Sequence, residues 1–451
     1  MTLITVSSYI ITGCFLEGGL ELWLVWIIFI ASIALIVSRR VDEPLAGLLG
    51  VSLLLILGLA GLGEAFGSMV DWNIIAILLG MWMISYHMVE AGLPQRIVNG
   101  ISRYIKTSRD AALLLSLVAG IISTVVDNVL VVLLLVPIAI RIARAYGIDP
   151  LATALLVTLT ANATGTALLL GDLPPQLLHS VFKAEFVDFI YMMGRPSSFP
   201  ILMVSILAAL YISTKILVPV KRIEQRVEAR SSDNNDNNKG YLVFSLALFF
   251  TAIILMSLRK EISMALGRDI PLGVFPLIVG IIGSMLCEKL YGKEFREVVE
   301  KGIDWGSILF YLSLFILVGS LEKHHGLEPI SLWLSGLMGN LFLGYTAIYW
   351  ISAPIVAFVE HDAYILIMLR SIRDANIENP WPFAWSLLWS GTLGSNYTAA
   401  GAPALYVAFR IIERETGLKL RPKAIYRITI TYATINLIIT YLISLPIWAV
   451  G

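Results

Sequence analysis

The sequence predicts an all-α polytopic membrane protein made of two inverted repeats, with about ten full spans and two re-entrant hairpins. Three observations carry this expectation. Apolar residues occupy 58% of the 451 positions and charged residues only 14%, whereas soluble domains run at about 45–50% apolar and about 25% charged. Ten apolar runs are long enough to cross roughly 30 Å of hydrocarbon at about 1.5 Å per residue. A set of polar features then recurs at an offset of 233 residues.

The composition excludes soluble enzymes, nucleic-acid binders and disordered regulators. The 32 basic and 32 acidic residues cancel, so no polyanionic partner is implied. Cys14 and Cys287 are too few for a disulfide framework and lack metal-ligand spacing. The N-terminus has no basic n-region, so no cleaved signal peptide is expected; Ile11–Cys14 only loosely resembles a lipoprotein cleavage site.

In chain order, the full spans are expected near 20–37, 44–62, 73–91, 151–171, 199–219, 241–258, 270–287, 305–322, 383–408 and 428–450. Two stretches do not read as ordinary spans. Residues 111–146 are apolar from Ala111 to Ile140, too long for one crossing, and Asp127-Asn128 interrupts them. Two half-length helices entering and leaving by one face fit better, and such backbone is tolerated only when buried in protein or lining a cavity. The stretch 345–370 is the second such hairpin.

Charge bias orients the chain. With both hairpins re-entrant and both termini outside, the cytoplasmic segments hold 23 Lys and Arg and the outer segments 8, in keeping with the positive-inside rule. Counting either hairpin as a single crossing would place the basic cluster of 221–239 or 409–427 outside.

The hydrophilic stretch 221–240 reads as a cytoplasmic linker between a first repeat, 1–220, and a second, 241–451. Asp71-Trp72 opens a span ending at Gly92-Leu93; Asp304-Trp305 opens another ending at Gly326-Leu327. At the same offset, Val126-Asp127-Asn128 falls on Val359-Glu360-His361. Each hairpin is followed by an interrupted span. The first, 151–175, is broken at Asn162-Ala163-Thr164-Gly165-Thr166, running on to Gly171-Asp172. The second, 383–408, is broken at Ser395-Asn396-Tyr397-Thr398, running on to Gly401. Paired interrupted helices in inverted halves are a sequence pointer to a transporter binding site.

At these residues the chain resembles the ion transporter superfamily, in the branch of arsenical pump membrane proteins, D-type sodium/proton antiporters and the P protein, which share a citrate-transporter-like domain. Asp127-Asn128-Val129 through Pro137 matches the first hairpin. Asn162-x-Thr164-Gly165-Thr166 with Gly171-Asp172-Leu173-Pro174-Pro175 matches the following break, with Leu173 inserted. Gly394-Ser395-Asn396-Tyr397-Thr398 matches the second break. The second half departs more: Glu360-His361-Asp362 stands where relatives often repeat Asp-Asn, and Tyr397 replaces a glycine. The resemblance implies a static scaffold, a mobile unit holding both hairpins and both broken helices, elevator-type alternating access and a homodimer. Residues 93–106 and 328–343 would be the connecting arms.

The residues themselves suggest chemistry. A carboxylate near mid-membrane is unfavourable by several kcal/mol unless paired, protonated or cation-bound. Asp127 is therefore a candidate ion or proton site with Asn128, and also a candidate N-cap. Asn162, Thr164 and Thr166, then Ser395, Asn396 and Thr398, offer neutral oxygens where a broken helix frees backbone groups, or else satisfy the kinks themselves. Asp172 reads equally as ligand or turn residue. Glu360, His361 and Asp362 suit a proton-linked role, unless their tip simply faces water. His87 reads as a packing histidine, His324-His325 as solvated, and the tryptophans as interfacial belts.

The expected function is secondary active transport in the plasma membrane: proton-coupled efflux of a small inorganic ion, arsenite/antimonite or sodium. No cofactor is expected beyond the coupling ion, H+ or Na+. Sodium would be held by Asp127, Asn128 and Asn162; no other metal is expected. Partners are the lipid bilayer and a small ion or small organic anion, with no nucleic acid. Cation-coupled dicarboxylate or citrate transport is the alternative, and a passive channel the alternative of a different class.

Overall fold

The computed structural model describes residues 19–102, 104–145, 147–221, 236–417 and 421–449. The lipoprotein-like stretch at Cys14 and most of the hydrophilic linker lie outside the described residues. The architecture is helical: α1 (Leu20–Ser38), α2 (Glu43–Ile56), α3 (Trp72–Glu90), α4 (Leu93–Ser102), α5 (Ser108–Ser123), α6 (Asn128–Ala145), α7 (Pro150–Gly165), α8 (Leu173–Phe182), α9 (Ser198–Leu217), α10 (Asp236–Ser257), α11 (Arg259–Leu266), α12 (Val274–Tyr291), α13 (Trp305–Lys323), α14 (Glu328–Met338), α15 (Leu341–Val356), α16 (His361–Asp374), α17 (Trp381–Ser395), α18 (Pro403–Thr416) and α19 (Pro422–Trp448). A two-residue antiparallel ribbon, Tyr191–Met192 with Arg195–Pro196, joins α8 to α9.

Seven of these helices are long and apolar enough to cross a membrane: α1, α3, α9, the Lys239–Ser257 part of α10, α12, α13 and α19. Of the ten expected spans, 44–62 is the shorter apolar helix α2, and 151–171 and 383–408 are the broken pairs α7/α8 and α17/α18. The stretches 111–146 and 345–370 are each two helices, α5/α6 and α15/α16, parted by four residues, 124–127 and 357–360.

The 233-residue offset extends to individual hydrogen bonds. Asp71 Oδ1 accepts from Asn73 N at 3.0 Å to cap α3, and Asp304 Oδ1 accepts from Ser307 N at 3.1 Å to cap α13. Trp72 Nε1 donates to Phe66 O at 2.8 Å; Trp305 Nε1 donates to Val299 O at 3.0 Å. Thr107 caps α5 as Asn340 caps α15. Asp127 accepts from Val129 N and Leu130 N, and Glu360 from Asp362 N and Ala363 N. Each carboxylate therefore supplies the acceptor that a helix N-terminus lacks.

Packing exchanges elements between the halves. α3 lies on α12 and α13 on α2, while α8 lies on α16 and α18 on α6. Small residues permit the close crossings: a Cβ on Gly80 would fall 2.2 Å from Pro276 C, and one on Gly47 would fall 2.7 Å from Ser313 Cβ. Helices in lipid gain little from the hydrophobic effect against one another, so such contacts carry the association.

Where α7 and α17 end, seven residues of irregular backbone lead into α8 and α18. Gly171 and Gly401 make those turns feasible. A Cβ on Gly171 would sit 2.3 Å from Ser123 O at the end of α5, and one on Gly401 2.3 Å from Val356 O at the end of α15.

Two sets of tryptophans differ in exposure. Trp23, Trp72 and Trp305 are about half exposed, as an interfacial belt requires. Trp385, Trp389 and Trp448 instead are buried at 0–1% exposure, with the first two rings stacked at 5.8 Å and 15°. Their indole apolar area fills the space between α9, α17 and α19, and Trp389 Nε1 finds Ser198 Oγ at 3.0 Å.

Gly171→Ala and Gly401→Ala are each expected to destabilise the fold by about 1–3 kcal/mol through forced overpacking. Thermal unfolding of the purified protein checks this, with Gly336→Ala, whose Cβ would meet nothing within 4 Å, as the unchanged control.

Candidate functional site

Both hairpin tips and both helix breaks meet in one buried region. The contacts begin at Asn128, the first residue of α6. Its Nδ2 donates to Asn162 Oδ1 at 2.9 Å and to Asp172 Oδ2 at 2.8 Å. Asn162 Nδ2 donates in turn to Ser395 Oγ and Asn396 Oδ1, both at 3.1 Å. Asn396 Nδ2 ends the series on Leu159 O at 3.2 Å. Asn162, Ser395 and Asn396 are fully buried and Asn128 nearly so. A continuous polar chain therefore runs from the first tip, through the first break, to the second break.

Asp172 is not a turn residue at an outer surface. It is 7% exposed, bonded to Asn128, and its Oδ1 accepts from Leu173 N at 2.9 Å at the start of α8. Asp127 beside it is half-buried and caps α6. Thr166 Oγ1 donates to Thr392 Oγ1 at 2.8 Å, a second link between the breaks.

Two of the expected oxygens are otherwise engaged. Thr164 Oγ1 bonds back to Thr160 O and Ala161 O in its own helix. Thr398 Oγ1 donates to Ala357 O, tying the second break to the second tip. For these two, the kink-satisfying reading describes the hydroxyl.

The second tip does not face water: Glu360, His361 and Asp362 are 1%, 2% and 3% exposed. His361 Nδ1 lies 3.2 Å from Glu360 Oε1, and His361 Nε2 lies 3.3 Å from Asp362 Oδ1. Electrostatics link the first break to the second tip, since the charges of His361 and Asp362 act on Asp172. Buried Tyr311 on α13 lies within the fields of Asp127, Asp172, Glu360 and Asp362. Eight helix ends converge here, four N-termini and four C-termini, so the backbone offers both amide donors for an anion and carbonyls for a cation.

Three contributors went unnoticed in the sequence. Thr392 was findable as a polar residue one turn before the second break. Tyr311 sits in an uninterrupted apolar span and gives no signal. Arg39, counted above only as an orienting charge, pairs with Glu43, donates from Nη2 to Ala399 O at 3.1 Å in the second break, and lies 5.0 Å over the Tyr406 ring. Away from the site, His87 is the expected packing histidine, bonded to Tyr241 Oη at 2.8 Å and Ser284 Oγ at 2.9 Å. His324 is not merely solvated, because its Nε2 lies 2.9 Å from Leu59 O.

Asn128→Ala removes two bonds at once and strips Asp172 Oδ2 of its amide donor. The expected result is a loss of about 1–3 kcal/mol in unfolding free energy, against a change within about 0.5 kcal/mol for Ser52→Ala on an exposed helix face. Denaturant unfolding in detergent micelles measures both.

Comparison with known proteins agrees with this architecture. A family model described as citrate transporter (CitMHS) matches residues 33–390. The chain is similar to an uncharacterized transporter of Mycobacterium tuberculosis, 26% identical over 403 residues and covering 86% of this chain and 90% of the relative. It is also similar to the magnetosome protein MamN of Magnetospirillum gryphiswaldense, 25% identical over 387 residues, covering 84% and 85% respectively. Among solved structures it shares the fold of the Alcanivorax borkumensis YdaH transporter, with TM-score 0.55 at 14% identity over 87% of this chain and 90% of that one. The matched family and the relatives named as transporters carry solutes rather than perform enzymatic chemistry. This chain is thus a multi-pass membrane protein and secondary transporter that belongs to the CitMHS citrate transporter family.

Proposed function

We propose that the protein exports a small inorganic ion, sodium or arsenite/antimonite, in exchange for protons, by alternating access. The observation that carries this reading is the charge of the site. Four carboxylates and one imidazole converge on a chain of neutral amides. Among the described residues, no lysine or arginine forms an ion pair with Asp127, Asp172, Glu360 or Asp362. Glu360 and Asp362 share His361, and Glu360 also feels Arg39. Carboxylates outnumbering cationic partners in a low-dielectric site are stabilised by taking up either a proton or a cation, and that competition is the elementary requirement of exchange.

In this reading the two halves are inverted repeats, both termini lie outside the plasma membrane, and the protein works as a homodimer. The unit holding α5–α8 and α15–α18 moves against the remaining helices in an elevator motion. Asp127 and Asn128 with Asn162 hold the ion, or sodium as coupling ion; Glu360, His361 and Asp362 handle the proton. Thr166, Ser395 and Asn396 position these groups, and no organic cofactor takes part.

A second reading is favoured by two specific observations, the family's description and the four helix N-termini at the site. In it the substrate is citrate or another dicarboxylate taken up with a cation. Flux into proteoliposomes under an imposed pH gradient separates the two. Export predicts that the gradient drives sodium or arsenite but not citrate. Gradient-driven citrate flux without either ion would establish the second reading, and gradient-independent electrogenic leak would establish a channel. Asp127→Asn is expected to abolish coupled flux while leaving size-exclusion and thermal profiles unchanged; full flux by that variant would overturn the assignment.

A further inference from the structure

Away from the ion site, an imidazole joins a helix carrying the first break to a helix of the opposite packing group. Buried His179 on α8 lies with Nδ1 2.7 Å from Ala184 O and Nε2 2.8 Å from Asn73 Nδ2, at the start of α3. The partners fix every proton. Ala184 O only accepts, so Nδ1 carries the ring hydrogen. Gly273 N, at the start of α12, donates to Asn73 Oδ1 at 2.7 Å. The Asn73 amide therefore points its NH2 at His179, and Nε2 must accept from it. This contact exists only with a neutral imidazole. A proton on Nε2 would set two donors face to face, and turning the Asn73 amide over would set its NH2 against Gly273 N instead.

We propose that His179 and Asn73 form a proton-released latch: the neutral imidazole holds the moving unit to the remaining helices at this end of the molecule, and protonation of Nε2 lets it go. The proposal rests on the alternating-access reading above and adds two positioning residues to it. Neighbouring contacts tie the same two bodies together. Ser180 Oγ donates to Asp71 Oδ2, and Arg259 on α11 pairs with Glu185 just beyond α8. The second half has no equivalent side chain, since the 233-residue offset puts Gly306 where Asn73 stands. The latch thus belongs to one end only, the outer end in the orientation proposed above.

The charges around His179 make the contact a switch and not fixed packing. Asp71 from α3, with Lys183 and Glu185 from the turn after α8, act on the ring. Two other helices pack on α8. Of these, α17 carries no ionisable side chain. On α16, His361, Asp362 and Tyr364 stand in the first turn, and Arg370, Arg373 and Asp374 at the far end, where both arginines pair with Glu322. Two carboxylates against one lysine accommodate a charged imidazole once Nε2 is released. In the closed contact, hydrogen-bond polarity bars that proton. Lowering the pH through the range where imidazole protonates then opens the latch, and raising it closes the latch.

Pulsed electron-spin distance measurements on the full-length protein in nanodiscs test the latch. Labels go on Met264→Cys in α11 and Glu378→Cys between α16 and α17, both exposed positions, with Cys14→Ala and Cys287→Ala removing the native thiols. Between about pH 8 and about pH 5, a second, longer distance is expected to grow in. Its ratio to the first should rise by up to about tenfold per pH unit, the limit for one proton. His179→Gln, which keeps an acceptor without a titrating ring, should hold the first distance throughout. Asn73→Asp should reverse the trend, because a carboxylate accepts from the protonated ring and repels the lone pair of the neutral one. A wild-type distance indifferent to pH, a His179→Gln response equal to wild type, or an Asn73→Asp trend of unchanged sign would each overturn the proposal. Melting curves establish that the variants fold; where one does not, the other carries the test. Proton-driven flux is scored separately. Flux of sodium or arsenite with a pH-indifferent distance leaves the export reading standing and removes the latch; a pH-responsive distance without flux of either ion does the reverse.

Discussion

The structure depends on one constraint: polar groups carried into an apolar interior must find partners there. The chain from Asp172 through Asn128 and Asn162 to Ser395 and Asn396 meets that constraint by joining the two halves. Asn162, Ser395 and Asn396 bond across the halves, while Asn128 and Asp172 find their partners within the first. Each break frees backbone groups that lipid cannot solvate, and each hairpin tip starts a helix whose first amides need acceptors. Asp127, Asp172 and Glu360 each cap the helix that follows them, and the asparagine amides bridge the first tip and the two breaks. The close approaches at Gly171 and Gly401 set each break against the helix end of its hairpin, at Ser123 O and Val356 O.

Much of this was legible in the sequence, for a physical reason. Polar residues are so unfavourable inside apolar spans that those present mark function, and their spacing survives in both halves. Asp127 and Glu360, Asn162 and Asn396, and both hairpins were readable on that ground alone. What escaped depends on tertiary context. Nothing local tells whether Trp385 lies at an interface or in a core, because indole suits both. The engagement of Thr164 and Thr398 with nearby carbonyls depends on rotamer, which a one-dimensional pattern does not carry. Arg39 reaches the second break across 360 positions of sequence, and a topogenic charge looks the same whether or not it makes such a contact. The span count also differed, since a hydrophobic run does not distinguish one long helix from α7 and α8 with seven irregular residues between.

The second tip is where this chain departs from the motif its halves otherwise share. Replacing an Asp-Asn pair by Glu360-His361-Asp362 adds a nitrogen base and a further carboxylate while keeping the N-cap. The helix geometry is conserved between tips, as the paired capping bonds demonstrate, so the change alters chemistry and not architecture. Two tips of equal shape and unequal chemistry allow one to hold an ion that the other does not. α8 packs on α16 and α18 on α6, so each tip's second helix is in contact with a helix of the other half.

The central claim is that the amide chain couples the two halves energetically. A double-mutant cycle between Asn162→Ala and Asn396→Ala, by equilibrium unfolding in mixed micelles, tests it most directly. Coupling of about 0.6 kcal/mol or more, typical of hydrogen bonds between membrane helices, is the predicted result. Effects that add within about 0.3 kcal/mol would contradict the account.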